Sequence, residues 1–96
     1  MAQDIDEKFY ERADAHIHLS NEQLADFGGG KVSASMLYSV ARFNAWLSAC
    51  GFNSAKEMAA AKDETIAYFA TEYRKMLEEN LNDYISNFDK YIGSIK

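Results

Sequence analysis

Residues 63–92 read DETIAYFATEYRKMLEENLNDYISNFDKYI. Apolar side chains recur there every three or four positions, and the stripe continues to Ile95, which lies 29 residues and eight steps after Ile66. The mean step is close to the 3.6 residues of an α-helical turn. The members of the stripe are Ile66, Phe69, Tyr73, Leu77, Leu81, Tyr84, Phe88, Tyr91 and Ile95. This pattern predicts one long helix that opens at Asp63 and reaches Ile92.

A first helix is predicted from Asp4 to Phe27, where apolar residues again follow the helical period. Asp4 and Glu7 have the spacing of a capping box, in which two side chains satisfy the free N–H groups of a helix start. Ser20 and Gln23 have the same spacing. A break in the helix near Ser20 is therefore an open alternative.

A second helix is predicted from Ser33, a favoured N-cap residue type, to Cys50. The three glycines at 28–30 precede it and predict a turn, because glycine is costly inside a helix. Gly51 is predicted to end the helix in the left-handed conformation. The main stripe of this helix contains Met36, Val40, Phe43 and Leu47.

Ser54 and Glu57 form another capping-box pair, which predicts a short connecting helix over Ala55 to Ala61. The chain contains no proline, and no segment has the alternating pattern of a strand. With 96 residues, 48% of them apolar, it is long enough to fold as a single domain spanning residues 1–96. We therefore expect an all-α fold, a small bundle of three main helices plus the short connecting helix.

The charge pattern limits the classes of partner. The formal net charge is −5, and lysines and arginines do not cluster, so nucleic acid is not an expected partner. No apolar run approaches the roughly 18 residues of a membrane span, and residues 1–8 do not resemble a secretory leader. The single cysteine, Cys50, is predicted to be a buried thiol in a reducing compartment. These observations predict a soluble cytoplasmic protein that does not associate with membranes.

Catalytic and metal-binding patterns are not found. His16 and His18 are two residues apart, so on one helix they point about 200° away from each other and cannot share a metal ion. The glycines at 28–30 lack the lysine and hydroxyl residue of a phosphate-binding loop. Glu78, Glu79 and Asp83 follow Arg74 and Lys75 and are typical of a solvated, ion-paired face. No catalytic residue, metal or cofactor is predicted, and the protein is not expected to be an enzyme.

Arg42 is the only charged residue between Val32 and Ala55. A surface helix carries a charged face, so this segment is predicted to be central and enclosed on more than one side. A buried arginine needs a carboxylate partner, because an unpaired buried charge costs several kcal/mol. The candidates from other helices are Asp14, Glu72 and Glu79.

Two interpretations of Arg42 stay open. In the first, Arg42 forms a structural ion pair. In the second, Arg42 and Tyr38 form an anion-binding pocket; Tyr38 lies one turn before the arginine and Trp46 one turn after it. The candidate polar cluster consists of Arg42, Asn44, Tyr38 and Asp14.

The end of the third main helix is the candidate self-association surface. A helix from Asp63 to Ile92 would span about 45 Å, longer than the other two, so its apolar end overhangs. A monomer rarely leaves such a patch in water, which favours a homodimer. The rival outcome is that the helix bends or the connecting helix covers the patch. The surface contains Tyr84, Phe88, Tyr91 and Ile92.

Three blocks of sequence carry a family resemblance. They are ADAHIHLSNE at 13–22, ARFNA at 41–45 and MLEENLNDY at 76–84. With these blocks, the chain resembles the bacterial domain-of-unknown-function family 3144. The resemblance implies a bacterial, cytoplasmic helical protein with no established activity, cofactor or substrate. It also marks Asp14, Asn21, Arg42 and Asn44 as residues that form a candidate site if they meet in space.

Two functions are predicted from these observations. The first is a non-enzymatic interaction or regulatory module that associates with itself or with an unknown protein partner. The alternative is a small-molecule or anion-binding protein that uses Arg42, Asn44 and Tyr38.

Overall fold

The computed structural model describes residues 4–93 and residue 95. Over this part the chain forms five helices and no strand: α1 (Phe9–Leu24), α2 (Gly29–Ala49), α3 (Ala55–Ala60), α4 (Lys62–Ser86) and α5 (Phe88–Tyr91). The predicted all-α class with three main helices and a short connecting helix is confirmed. Residues 1–3, part of the segment predicted to contain no leader, lie outside the described residues.

The chain divides into two compact units, one up to Leu47 and one from Ser48 onward. The first contains α1 and most of α2, and the second contains α3, α4 and α5. The single-domain organisation stays a prediction. None of the described helices has the combination of length and apolar character that crossing a bilayer requires.

Helix α1 begins later than the capping-box spacing predicts. Its first residue is Phe9, and Lys8 precedes it without a side-chain capping bond. The Arg12 guanidinium reaches back to Asp6 and donates to both carboxylate oxygens, at 3.0 and 3.4 Å. The helix continues through Ser20, whose hydroxyl donates to the His16 carbonyl at 3.0 Å. The alternative of a break near Ser20 is therefore wrong.

Helix α2 begins at Gly29, so the turn predicted at residues 28–30 is wrong for its last two glycines. The N–H groups of Lys31 and Val32 both donate to the Gly28 carbonyl at 3.1 Å, which starts the helix four residues before Ser33. The end of α2 also differs. Gly51 does not adopt a positive φ, and its N–H closes a tight turn on the Ser48 carbonyl at 3.0 Å instead.

The connecting helix α3 begins as predicted. The Glu57 N–H donates to the Ser54 hydroxyl at 3.1 Å, and the Asn53 N–H donates to the Glu57 carboxylate at 3.3 Å. The first bond satisfies an N–H group that a helix start leaves without a partner, and the second joins the residue before the cap to the first turn. The predicted capping by Ser54 is confirmed.

Helix α4 does not reach Ile92. It ends at Ser86, because Asn87 leaves the helical conformation with φ −123° and ψ 28°. The Asn87 amide donates to the carbonyl and the carboxylate of Asp83 at 3.0 and 2.9 Å, which holds this interruption in place. The short helix α5 then follows at Phe88–Tyr91. The long helix is therefore two helices separated by one residue.

Most apolar side chains of the chain are exposed. Among the described hydrophobic residues only Val32, at 5% exposure, is buried. The stripe of α2 predicted to form the core stays open to solvent, including Val40 and Phe43. Cys50 is exposed as well, so its predicted burial is wrong. The helical periods are present, but neither compact unit by itself covers the faces that they create.

Candidate interaction surfaces

One side of α2 forms a shallow recess of about 420 Å³, and the residues that line it define the Arg42 face: Tyr38, Ser39, Arg42, Phe43 and Trp46. A regular helix brings these positions to one side because residues three and four apart are neighbours on its surface. The Phe43 and Trp46 rings pack with centroids 5.7 Å apart and a 40° tilt. Tyr38 and Trp46 are nevertheless 68% and 59% exposed. The face is an aromatic surface with a cation in its middle.

Within the unit up to Leu47, Arg42 does not form the ion pair that the sequence predicts. It is exposed, and no described carboxylate of the unit up to Leu47, Asp14 included, lies within ion-pair distance. Of the other candidates, Glu72 pairs with Lys75 on its own helix at 2.9 Å. Arg42 is exposed rather than enclosed. It lacks the predicted carboxylate partner within this unit, and its part in a site stays a prediction.

The candidate polar cluster comes together only in part. Tyr38 and Arg42 share the recess. Asn44 is half-buried and does not line the recess, since two residues along a helix turn the side chain by about 200°. Asp14 is exposed on α1 and does not line it either. Ser39 and Phe43 also line the recess but are not part of the predicted cluster. They lie three residues before and one residue after Arg42, a spacing that could have indicated their place beside it.

A second exposed apolar surface follows α4. Four of its residues define the α4 stripe: Tyr73, Leu77, Leu81 and Tyr84. Leu77 and Leu81 are 42% and 53% exposed. Acidic residues accompany the second half of this stripe, and residues 76–86 contain Glu78, Glu79 and Asp83 but no lysine or arginine. The two exposed surfaces therefore carry charges of opposite sign.

The candidate self-association surface lies where α4 gives way to α5. The Tyr84 and Tyr91 rings pack at 5.0 Å between centroids, and the Tyr91 hydroxyl donates to the Asp83 carboxylate at 3.5 Å. The Asp83 charge raises the pKa of Tyr91, because a phenolate would be repelled there. Phe88 is exposed and Ile92 is half-buried. The four residues form an apolar end that still faces solvent.

The other charged contacts are exposed and structural. The hydrogen bond from Arg12 lowers the pKa of Asp6, and that from Lys75 lowers the pKa of Glu72. The His18 Nε2 atom lies 3.3 Å from the Glu22 carboxylate, one turn ahead on the same helix. In the described part of the chain, no three histidine, cysteine or acidic side chains converge as a metal site would require. None of these contacts brings an acid and a base to the recess.

Comparison with known proteins agrees with the residue blocks. The family model described as "Protein of unknown function (DUF3144)" matches residues 9–85. The chain belongs to this family. The NMR structure of the protein NB7890A from Shewanella sp is 38% identical to this chain, and the match covers 97% of this chain and 99% of that one with a TM-score of 0.78. No curated protein matches the chain. The solved relative therefore supports the fold, and the family assigns no function.

Proposed function

We propose that this DUF3144 protein is a helical interaction module that acts by associating with itself. The observation that carries the proposal is the exposure of the Arg42 face and the α4 stripe, with Val32 the only buried hydrophobic residue among those described. Apolar faces of this extent mark interaction sites in soluble proteins. Its action is assembly rather than catalysis.

A bacterial cytoplasmic setting is part of the proposal. The single cysteine and the Shewanella origin of the solved relative support it. A small-molecule or anion-binding role is less well supported. The recess is open along a single helix, and neither Asp14 nor Asn44 lines it.

Sedimentation equilibrium over a micromolar to near-millimolar concentration series tests the proposal. We expect the full chain to have twice its 10.8 kDa monomer mass over most of this range. A monomer mass throughout would refute self-association.

A variant of the apolar end locates the interface. The Phe88→Asp, Ile92→Asp double variant is expected to weaken the dimer while keeping its helical circular dichroism, because it charges an apolar patch whose two residues are exposed and half-buried. Lys90→Asp is the matched control, since it also adds negative charge to α5 but at a polar position. A double variant that dimerises as well as the control would remove this end of the chain from the interface and leave self-association standing.

A further inference from the structure

We propose that the Arg42 face of α2 docks on the α4 stripe of a second copy, and that Arg42 pairs there with Glu78 of the partner subunit. The inference rests on the proposed self-association and specifies the two surfaces that meet. In a two-fold dimer the contact occurs twice, because each chain offers both surfaces.

The charge of α2 determines what kind of surface covers it. Its only charged residues are Lys31 and Arg42, both positive. Two α2 helices packed on each other would bury Arg42 with no carboxylate, which is strongly unfavourable. The surface that covers the Arg42 face must therefore combine apolar side chains with an acid.

The second half of α4 has this combination. Leu77, Leu81 and Tyr84 are exposed, and the charged residues at 76–86 are all acidic. Electrostatic complementarity of this kind sets partner choice and register in protein interfaces. The α4 stripe and the Arg42 face are also each exposed within their own compact unit, so each is available to another copy.

The geometry of α4 selects Glu78 among the three acidic residues at 76–86. Asp83 already accepts hydrogen bonds from Asn87 and Tyr91. Glu79 lies about 200° around the helix from Leu77, on the far side, whereas Glu78 lies about 100° from it, at the edge of the stripe. Only Glu78 can border an apolar contact and keep its carboxylate beside it.

The aromatic residues around Arg42 explain why this pair contributes to affinity. Tyr38 and Trp46 lie one turn before and one turn after the arginine and line the same recess. When the surface is covered, their rings exclude water from the charge pair, as the surroundings of interface hot spots do. An exposed ion pair without such surroundings contributes little.

Charge reversal in separate chains tests the contact. Arg42→Glu and Glu78→Arg are each expected to raise the dimer Kd about a hundredfold, because each places like charges at both copies of the contact. Mixed one to one, the two variants are expected to form a heterodimer with near-native affinity, because both contacts again join opposite charges. A contact inside one chain cannot be repaired by mixing.

Glu79→Arg is the matched control, since it makes the same change of charge one residue away. It is expected to leave the homodimer intact and to fail to form a heterodimer with Arg42→Glu. Equal rescue by Glu79→Arg would show long-range attraction and overturn the specific pair. Rescue by Asp14→Arg instead would move the contact to α1 and overturn the assignment to α4.

The outcomes separate this inference from the proposed function. If the unmodified chain is monomeric, self-association itself fails. If the unmodified chain is a dimer but the mixed variants do not associate, the Arg42–Glu78 contact fails and self-association stands. Circular dichroism of each variant alone confirms that the exposed substitutions leave the helices folded.

Discussion

The two Ser-x-x-Glu/Gln sequences provide a sharp stability test, because the same spacing produces a cap at one site only. Ser54 has extended backbone angles, φ −157° and ψ 159°, and its hydroxyl accepts the Glu57 N–H at 3.1 Å. Ser20 lies inside α1 and donates to a carbonyl one turn back. We therefore expect Ser54→Ala and Ser20→Ala to have opposite effects on the free energy of unfolding.

Removal of the Ser54 hydroxyl leaves the Glu57 N–H without its partner, a loss of about 1 kcal/mol for an N-cap. The helix affected has six residues, too few to be stable on its own, so its start depends on this cap. In a domain of this size the loss lowers Tm by about 4–8 °C. Ser20→Ala removes a bond to a carbonyl within a continuous helix and improves helix propensity, so a gain of up to about 0.5 kcal/mol is expected.

The assay is urea unfolding followed by circular dichroism at one fixed protein concentration, because self-association makes stability depend on concentration. Ser54→Asp retains a capping oxygen and is expected to stay within a few tenths of a kcal/mol of the unmodified chain. Equal destabilisation by the two alanine variants, or a larger loss from Ser20→Ala, would refute the assignment of the caps.

Three further measurements test the local contacts. In an NMR titration, the Asp6 carboxyl should have a pKa below 3.8, and in Arg12→Gln this pKa should return towards 3.8. Because the folded state lowers this pKa, the Arg12–Asp6 pair stabilises the fold above about pH 4, and this stabilisation is lost as the pH falls through the lowered pKa. The pKa of Tyr91 should lie above 10.0 and fall in Asp83→Asn, and an unchanged pKa would contradict their contact. Cys50 should react with a thiol reagent in dilute native protein without denaturant, whereas protection would indicate burial.

Much of the helical architecture could be predicted from the sequence, because helix formation depends on local spacing. The three stripes and the connecting helix are present, and Ser54 caps α3 as its sequence context indicates. The helix ends were less predictable. Ser20 matches the same pattern without acting as a cap, since capping requires a backbone that has left the helix. Asn87 ends α4 through side-chain bonds to Asp83, a contact that apolar periodicity does not reveal.

The residues of the candidate surfaces could be predicted only in part. Tyr38 and Arg42 meet because they lie one helical turn apart, while Asp14 belongs to another helix and does not join them within the unit. The lack of charge around Arg42 predicted that α2 is enclosed, yet Tyr38 and Trp46 are exposed. The sequence alone determined which helix faces are apolar, because that depends on the order of residues. Only the tertiary structure decided that each compact unit by itself leaves those faces exposed, because burial depends on what packs against a helix.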